Sequence, residues 1–210
     1  MKLPTPNEIK ERFLRCGFSL NDDQAEKFHL YLRELLRWNR VHNLTAIREP
    51  RKIITFHFID SITPHLLMKK LGIDREEIDI ADVGSGGGFP GIPLKIYLPH
   101  IELTMIESNH KKCAFLEEAG VLLGMRWKVI CKRAEEVKQK YTLVITRALD
   151  DLEKRVEDLE KLSEGFLFIM KEKNYDREWC EKHHLKAFPV SIPGIGERNI
   201  LWKEVIPPSR

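Results

Sequence analysis

The chain has 210 residues, of which 42% are hydrophobic, and this length suits one domain or one domain with a small appendage. Its 35 Lys and Arg residues against 32 Asp and Glu residues give a net charge of +3, too balanced to predict a nucleic-acid partner from bulk electrostatics. Because it has no secretory h-region and no run of the ~18 apolar residues that a membrane span needs, the sequence predicts a soluble, cytoplasmic protein without a membrane partner.

The first part of the chain predicts a helical cap. Asn21 can cap a helix with an acidic first turn, and apolar residues at helical spacing extend this helix to about Trp38. Pro50 is a helix breaker, and a second apolar stretch, Ile53–Leu71, follows it. We expect residues 1–75 to form helices that pack on the rest of the chain.

The remaining residues, 76–210, alternate between strand and helix patterns, which is typical of a parallel sheet wound with helices. Parallel strands are predicted at Ile78–Val83, Glu102–Glu107, Lys128–Cys131, Leu143–Thr146 and Phe166–Met170. Helices are predicted at Lys111–Leu123 and Leu152–Leu162. The last two strand-like runs, joined by a short turn, predict an antiparallel hairpin at the sheet edge: Ala187–Ile192 and Asn199–Ile206.

Five glycines and two prolines follow the first predicted strand in the stretch DVGSGGGFPGIPLKI, Asp82–Ile96. Ligands of open parallel sheets bind outside the carboxyl ends of the strands, and glycines there let the backbone approach a ligand closely. A P-loop would need Gly-Lys-Ser/Thr after the glycines, and a dinucleotide site would need G-x-G-x-x-G. Asp82 followed by Gly84, Gly86 and Gly88 instead resembles motif I of S-adenosylmethionine-dependent methyltransferases.

The end of the next strand carries an acidic residue, Glu107. It lies about twenty residues beyond the glycines, where nucleotide-binding folds place an acid that accepts hydrogen bonds from ribose hydroxyls. Together with the glycine turn, this position favours ribose binding over a solvated charge at a strand end.

Basic residues recur where the later strands end: Lys111, Lys112, Lys132, Arg133, Arg147 and Lys171. Because the carboxyl ends of parallel strands share one edge, these residues predict a basic site for an anionic substrate such as RNA. The chain lacks the Asn/Asp-Pro-Pro-Tyr-type motif of enzymes that methylate exocyclic amines and the Pro-Cys nucleophile of enzymes that methylate pyrimidine carbon. Guanine N7 has no proton to remove, so its methylation depends mainly on alignment, and an Arg can contact guanine O6 or a phosphate.

The cysteines predict reduced thiols. The four of them are scattered, with no Cys-x-x-Cys pair and no His/Cys spacing typical of zinc: Cys16, Cys113, Cys131 and Cys180. We therefore expect no disulfide and no metal site, and we interpret Cys131 as a small buried hydrophobic residue.

Six segments carry a resemblance to a known family. They are WNRVHNLTAIREP (Trp38–Pro50), HFIDS (His57–Ser61), ADVGSGGGFPGIPLKI (Ala81–Ile96), IESNHKKCAFL (Ile106–Leu116), KRAEEV (Lys132–Val137) and VITRAL (Val144–Leu149). In this order, they resemble the RsmG (GidB) family of 16S ribosomal RNA guanine-N7 methyltransferases. The resemblance implies an α/β, Rossmann-like methyltransferase fold with a mostly parallel sheet, an antiparallel C-terminal hairpin and an N-terminal helical cap.

The resemblance also implies site residues. S-adenosylmethionine would be bound by the glycine turn and by residues of the next strand ends: Asp82, Gly84, Gly86, Gly88, Phe89, Glu107, Ala134 and Glu135. Arg147 would line the methionine end of the cofactor or the incoming base. Catalytic positions would be Arg147, Lys111 and Arg133, and the substrate would contact Asn43, His57, Lys111, Arg133 and Lys171. The cap would add Asp60 and Ser61 to the pocket, with a structural His57–Asp60 pair as the alternative.

We therefore expect an enzyme that uses S-adenosylmethionine to methylate 16S rRNA, as naked RNA or in the small ribosomal subunit, and that is a monomer. Two alternatives stay open: a methyltransferase of this fold acting on another RNA or a small molecule, and a non-catalytic RNA-binding module. We also expect Arg147→Ala to reduce turnover far more than it affects folding.

Overall fold

A computed structural model describes residues 3–74, 77–147 and 152–205. The cap is built from two longer helices followed by short helical segments. They are α1 (Pro6–Arg15), α2 (Asp22–His42), α3 (Pro50–Ile53), a π-helical segment (Ile54–Ile59), α4 (Asp60–Ile62) and α5 (Pro64–Leu71). The helix predicted after Asn21 thus continues beyond Trp38 to His42.

Both longer cap helices begin with a capping box. The Asn21 side chain accepts a hydrogen bond from the Gln24 N–H at 2.8 Å, and Gln24 Oε1 accepts one from the Asn21 N–H at 2.9 Å. Thr5 and Glu8 form the same reciprocal pair at the start of α1. Each box satisfies backbone donors that a helix start leaves unpaired. The predicted capping role of Asn21 is therefore confirmed.

The other part of the chain forms one seven-stranded sheet in the order β3-β2-β1-β4-β5-β7-β6. The strands are β1 (Asp79–Val83), β2 (Glu102–Ile106), β3 (Lys128–Ile130), β4 (Tyr141–Arg147), β5 (Ser163–Glu172), β6 (Lys186–Ile192) and β7 (Gly196–Glu204). Strands β1 to β5 are parallel, and β7 pairs antiparallel with both β5 and β6. The predicted parallel sheet with a C-terminal antiparallel hairpin is confirmed.

Helices connect the strands: α6 (Gly91–Tyr97), α7 (His110–Leu123), α8 (Leu152–Leu162) and α9 (Arg177–Lys182), with a 3₁₀ turn at Ala134–Glu136. Helix α9 was not predicted, since its six residues carry too little apolar periodicity to be seen. The predicted end of the last strand, Ile206, lies outside the described residues. In the described ranges, no helix has both the length and the apolar character needed to cross a bilayer.

The cap and one face of the sheet share an apolar core. Phe28 and Phe58 from the cap are fully buried in the same cluster as Ile92 of α6 and Phe115 of α7. The Tyr31 ring stacks on Phe58 at 4.9 Å between centroids. The opposite face of the sheet is covered chiefly by α8, whose apolar residues join a second core. This packing fixes the cap over the segment that follows β1.

The expectation that all four cysteines are reduced thiols is wrong. Cys113 and Cys131 form a disulfide with their Cα atoms 5.9 Å apart. The 18-residue separation gave no signal, but the parallel pairing of β2 with β3 brings the start of α7 beside the end of β3. Cys131 is only partly buried, so its interpretation as a buried hydrophobic residue is also wrong. Cys16 and Cys180 are free and buried.

Candidate active site

Two cavities open where the parallel strands end. The first, the β1–β3 cavity, has a volume of about 260 Å³ and includes Gly84, Glu107 and Ala134 in its lining. The second, the β4–β7 cavity, has a volume of about 300 Å³ and includes Asp60 and Arg147. This edge is where an open parallel sheet binds ligands. The predicted location of the site therefore coincides with concave surface.

The glycine turn reaches this edge through only part of its length. Gly84 and Gly86 are partly exposed and have φ angles of +75° and +56°, which L-residues with a side chain rarely adopt. Gly88 is buried, and a Cβ on it would meet Ile92 and lie 2.9 Å from Tyr31 Oη. Gly84 and Gly86 can thus face a ligand, whereas Gly88 is required by packing against the cap.

Glu107 holds the turn in place. Its Oε2 accepts a hydrogen bond from the Gly86 N–H at 2.9 Å, and its Oε1 accepts one from the Asn109 N–H at 2.9 Å. The residue is 7% exposed and lines the β1–β3 cavity. An ionised carboxylate has about four lone-pair positions, so two of them stay available for a ligand. Glu107 can therefore fix the turn and, at the same time, accept hydrogen bonds from ribose hydroxyls.

The basic residues predicted at the strand ends separate into two groups. Lys112, Lys132 and Arg133 line the β1–β3 cavity, together with Ala134. Lys111 is exposed in the first turn of α7 and does not line either cavity. Arg133 and Glu135 form a loose ion pair at 3.7 Å beside the 3₁₀ turn. Of the two adjacent lysines predicted at this edge, Lys112 lines the cavity, whereas Lys111, the one to which the resemblance gives a catalytic and substrate-binding role, does not.

In the β4–β7 cavity, a buried carboxylate joins two arginines. Asp60 Oδ2 lies 3.3 Å from Nη2 of Arg147, and Asp60 Oδ1 lies 3.2 Å from Nε of Arg198. The Asp60 side chain is 6% exposed, and the two arginines are 18% and 20% exposed. Lys171 lines the same cavity. Arg198 was missed by sequence reasoning, since only the pairing of β7 with β5 brings it to this edge.

Arg147 ties the end of β4 to the cap. Its Nη2 donates to the Phe56 carbonyl at 2.7 Å, and its Nη1 donates to Ser61 Oγ at 3.2 Å. The guanidinium carbon lies 5.9 Å from the centre of the Phe89 ring, at the end of the glycine turn. One side chain thus contacts the cap, the glycine turn and the β4–β7 cavity.

His57 is a neutral partner of this arginine. Its Nδ1 lies 3.2 Å from Arg147 Nη2, and since an arginine only donates, Nδ1 accepts and Nε2–H donates to Thr45 Oγ1 at 2.6 Å. Burial, followed by the nearby Arg147 charge, lowers the pKa of His57 to about 3. The ring also stacks on Phe89 with centroids 4.5 Å apart. His57 and Asp60 are thus joined through Arg147 rather than to each other.

The remaining predicted residue of the cap, Asn43, is exposed and ends α2 with a left-handed φ of +46°. It lines neither cavity. In the described part of the chain its neighbours Leu44 and Thr45 make the inward contacts instead: the Leu44 carbonyl lies beside Gly87, and Thr45 holds His57.

Asp82 lies fully buried beneath the glycine turn. Its Oδ2 accepts the Gly91 N–H at 3.0 Å, while its Oδ1 has no hydrogen-bond partner among the described residues. Burial raises the pKa of Asp82 to about 7, and the Gly91 hydrogen bond only partly opposes this. Asp82 therefore supports the turn from below and does not line either cavity.

The raised pKa predicts a pH-dependent stability. The folded state binds the Asp82 proton more tightly than the unfolded chain, so this stabilising contribution is lost as pH rises from about 4 to about 7. We expect Asp82→Asn, which stays neutral, to gain about 3 kcal/mol relative to wild type between pH 5 and pH 8, because wild type loses about 1.4 kcal/mol per pH unit from pH 5 to about 7. Urea unfolding of both proteins at these two pH values measures the difference. Parallel pH profiles would contradict this role of Asp82.

The residues of the β1–β3 cavity fit the adenosine part of S-adenosylmethionine. Glu107 has lone pairs left for hydrogen bonds from ribose hydroxyls. The space beside Gly86 is uncrowded, since a Cβ at this position would lie 3.8 Å from its nearest neighbour, the Gly84 carbonyl oxygen. Ala134 offers a small apolar edge beside this acid. The predicted positions Gly84, Gly86, Glu107 and Ala134 are therefore brought together.

Comparison with known proteins gives consistent matches. The family described as rRNA small subunit methyltransferase G matches residues 24–197. A ribosomal RNA small subunit methyltransferase G of Aquifex aeolicus is 46% identical over 197 residues, which cover 94% of this chain and 100% of that protein. The protein of the same name from Polynucleobacter asymbioticus is 37% identical over 200 residues, covering 89% and 90% of the two chains.

Solved structures match the fold. Magnesium protoporphyrin IX methyltransferase from Synechocystis, with bound S-adenosylmethionine, has a TM-score of 0.59 at 16% identity, covering 90% of this chain and 99% of that one. An S-adenosylmethionine-dependent methyltransferase from Aquifex aeolicus has a TM-score of 0.55 at 15% identity, covering 75% and 99%. At these identities the likeness concerns the fold alone.

Proposed function

This chain belongs to the rRNA small subunit methyltransferase G family, and from that membership we propose that it transfers a methyl group from S-adenosylmethionine to N7 of a guanine in 16S rRNA. The observation that carries the proposal is the junction at Arg147, where the glycine turn, the cap and the β4–β7 cavity meet. We infer that Arg147 lies where the methyl donor in the β1–β3 cavity would meet the acceptor base in the β4–β7 cavity.

The chain's own residues bind and orient the cofactor. S-adenosylmethionine, when bound, supplies an electrophilic methyl group. Glu107 would accept hydrogen bonds from the ribose hydroxyls while it keeps Gly86 in place, and the partly exposed Gly84 lines the same cavity. Phe89 is 8% exposed and packs against both His57 and Arg147, so it would shape the wall toward the acceptor.

Methylation at guanine N7 requires no general base, because N7 offers a lone pair and carries no proton. The buried His57 is neutral and already committed to Thr45 and Arg147, which is consistent with a positioning role and not with proton abstraction. Arg147 and Arg198 can donate to guanine O6 or to a phosphate. Asp60 fixes both arginines in orientation, so little reorganisation is needed when the base arrives.

The charges at this edge suit a polyanion. Lys112, Lys132 and Arg133 line one cavity and Lys171 the other, so basic residues are gathered at the proposed site although the whole chain is nearly neutral. Lysine and arginine contacts to phosphates give an affinity for RNA that falls steeply with salt. The proposed acceptor is therefore 16S rRNA, free or within the small subunit, bound by a monomer.

The test is transfer of radiolabelled methyl from S-adenosylmethionine to 30S subunits from a strain that lacks this modification, followed by mapping of the labelled base. Subunits that already carry the modification are the matched control and should stay unlabelled. We expect label at a single guanine N7. Label on a different RNA or a small molecule would overturn the substrate assignment, and no transfer with cofactor bound would favour a binding module.

A further inference from the structure

A separate concave surface lies on the cap, and none of its lining residues belongs to the two cavities described above. We call it the arginine groove. Its volume is about 480 Å³, and its lining includes Arg33, Arg37, Arg40 and Arg48 with Leu36 and Pro50. This volume is in the range of ligand-binding clefts, roughly 300–1,000 Å³.

The positions of the arginines follow from the cap's secondary structure. Arg33, Arg37 and Arg40 are spaced by four and three residues on α2, so they project from one helical face. Arg48 comes from the loop between α2 and α3 and lines the same groove. All four residues are exposed. The groove thus collects four guanidinium groups on solvent-accessible surface.

Most of this charge is not compensated by the residues that the structure describes. Arg37 pairs with Glu34 and also contacts Glu118. Within residues 3–74, 77–147 and 152–205, the other three arginines make no hydrogen bond or ion pair. Like charges at helical spacing are mildly destabilising when nothing balances them. Such a cluster suits an anionic partner that supplies the missing counter-charge.

The floor of the groove narrows the class of partner. Leu36 and Pro50 add apolar surface to the lining that the arginines share. Single-stranded RNA offers both matching features, since its phosphates pair with arginines and its unstacked bases pack on apolar groups or on guanidinium planes. An acidic protein segment would satisfy the charges but would leave the concave apolar floor less well filled.

The groove also adjoins the proposed active site. Asn39 lines the groove, and its side chain holds the backbone of Thr45 through two hydrogen bonds of 2.9 Å. Thr45 in turn binds His57, which contacts Arg147. The loop after α2 therefore has the arginine groove on one side and the glycine turn on the other.

We propose that the arginine groove binds a single-stranded segment of the RNA substrate, with Arg33, Arg40 and Arg48 contacting phosphates and the apolar floor receiving a base. This inference rests on the proposed function for the identity of the RNA. It adds a contact surface on the cap that is separate from the basic edge of the sheet.

The experiment compares two double variants. Arg33→Gln/Arg40→Gln removes two charges from the groove, and Arg126→Gln/Lys140→Gln removes two exposed charges at the opposite edge of the sheet, where β3 and β4 begin. Filter binding to unmethylated 30S subunits is measured over a series of salt concentrations, alongside steady-state methyl transfer and calorimetric binding of S-adenosylmethionine.

We expect the groove variant to weaken subunit binding roughly tenfold near 0.1 M salt. It should reduce the slope of log affinity against log salt concentration by about 1.4, since each phosphate contact to a single strand contributes about 0.7. KM for subunits should rise in parallel, while kcat and cofactor affinity stay at wild-type values. Binding and slope equal to those of the control variant would overturn the proposal. Failure of the proposed function gives a different result from failure of the groove proposal: the wild-type protein itself transfers no methyl group. In that case filter binding alone still decides whether the groove contacts RNA.

Discussion

Replacing Arg147 with alanine is expected to lower kcat for methyl transfer on the order of 10²–10³-fold, the loss typical for removal of one preorganised donor. The reason is that this side chain donates hydrogen bonds to Phe56 and Ser61 of the cap, lies beside the Phe89 ring and lines the β4–β7 cavity. Initial rates at saturating S-adenosylmethionine and saturating 30S subunits measure the effect.

The same substitution should affect stability far less than turnover. Breaking a buried ion pair costs about 3–5 kcal/mol when it leaves a charge alone, but Asp60 keeps Arg198 after Arg147 is removed. Arg126→Ala is the matched control, because Arg126 is exposed and precedes β3 at the opposite edge. Thermal unfolding shows whether both variants are folded. If they are, and Arg147→Ala turns over as fast as this control, the role given to Arg147 is refuted.

Replacing Glu107 with alanine is expected to weaken S-adenosylmethionine binding by about 100-fold or more. Hydrogen bonds to a charged acceptor contribute about 1.5–3 kcal/mol each, and the change removes both the ribose contacts and the anchor of the Gly86 N–H. Isothermal titration calorimetry measures the dissociation constant directly.

Two further variants sharpen this test. Glu107→Gln should also bind weakly, because its amide would point a donor at one of two backbone donors, Gly86 N–H or Asn109 N–H. Glu117→Ala removes an exposed carboxylate from α7 and should bind like wild type. Equal affinities for all three variants would exclude Glu107 from the cofactor site.

The sheet and the position of the site could be predicted because they depend on local patterns. A strand followed by Gly84 and Gly86, and then a strand ending at Glu107, defines a nucleoside-type cavity without any knowledge of distant contacts. The interpretation of Gly88 was less complete, since its burial against Tyr31 depends on how the cap packs.

The other features depend on contacts that no local pattern reports. Arg198 reaches Asp60 only because β7 lies antiparallel to β5, and Cys113 meets Cys131 only because α7 starts beside the end of β3. Lys112 lines the cavity and Lys111 does not, because the two side chains project in different directions from α7. The Asn109 cap sets where this helix begins and therefore which lysine faces the cavity.

The shared core of cap and sheet determines how this protein can be dissected. Tyr31 donates a hydrogen bond to the Gly87 carbonyl, and its ring packs against both Phe58 and Phe89. A truncated protein that begins after residue 75 would lack the cap residues that pack on the glycine turn and would expose Phe115 to water. Truncation would therefore yield an aggregating fragment in place of a minimal enzyme, and RNA binding has to be separated from methyl transfer by point substitutions in the intact chain.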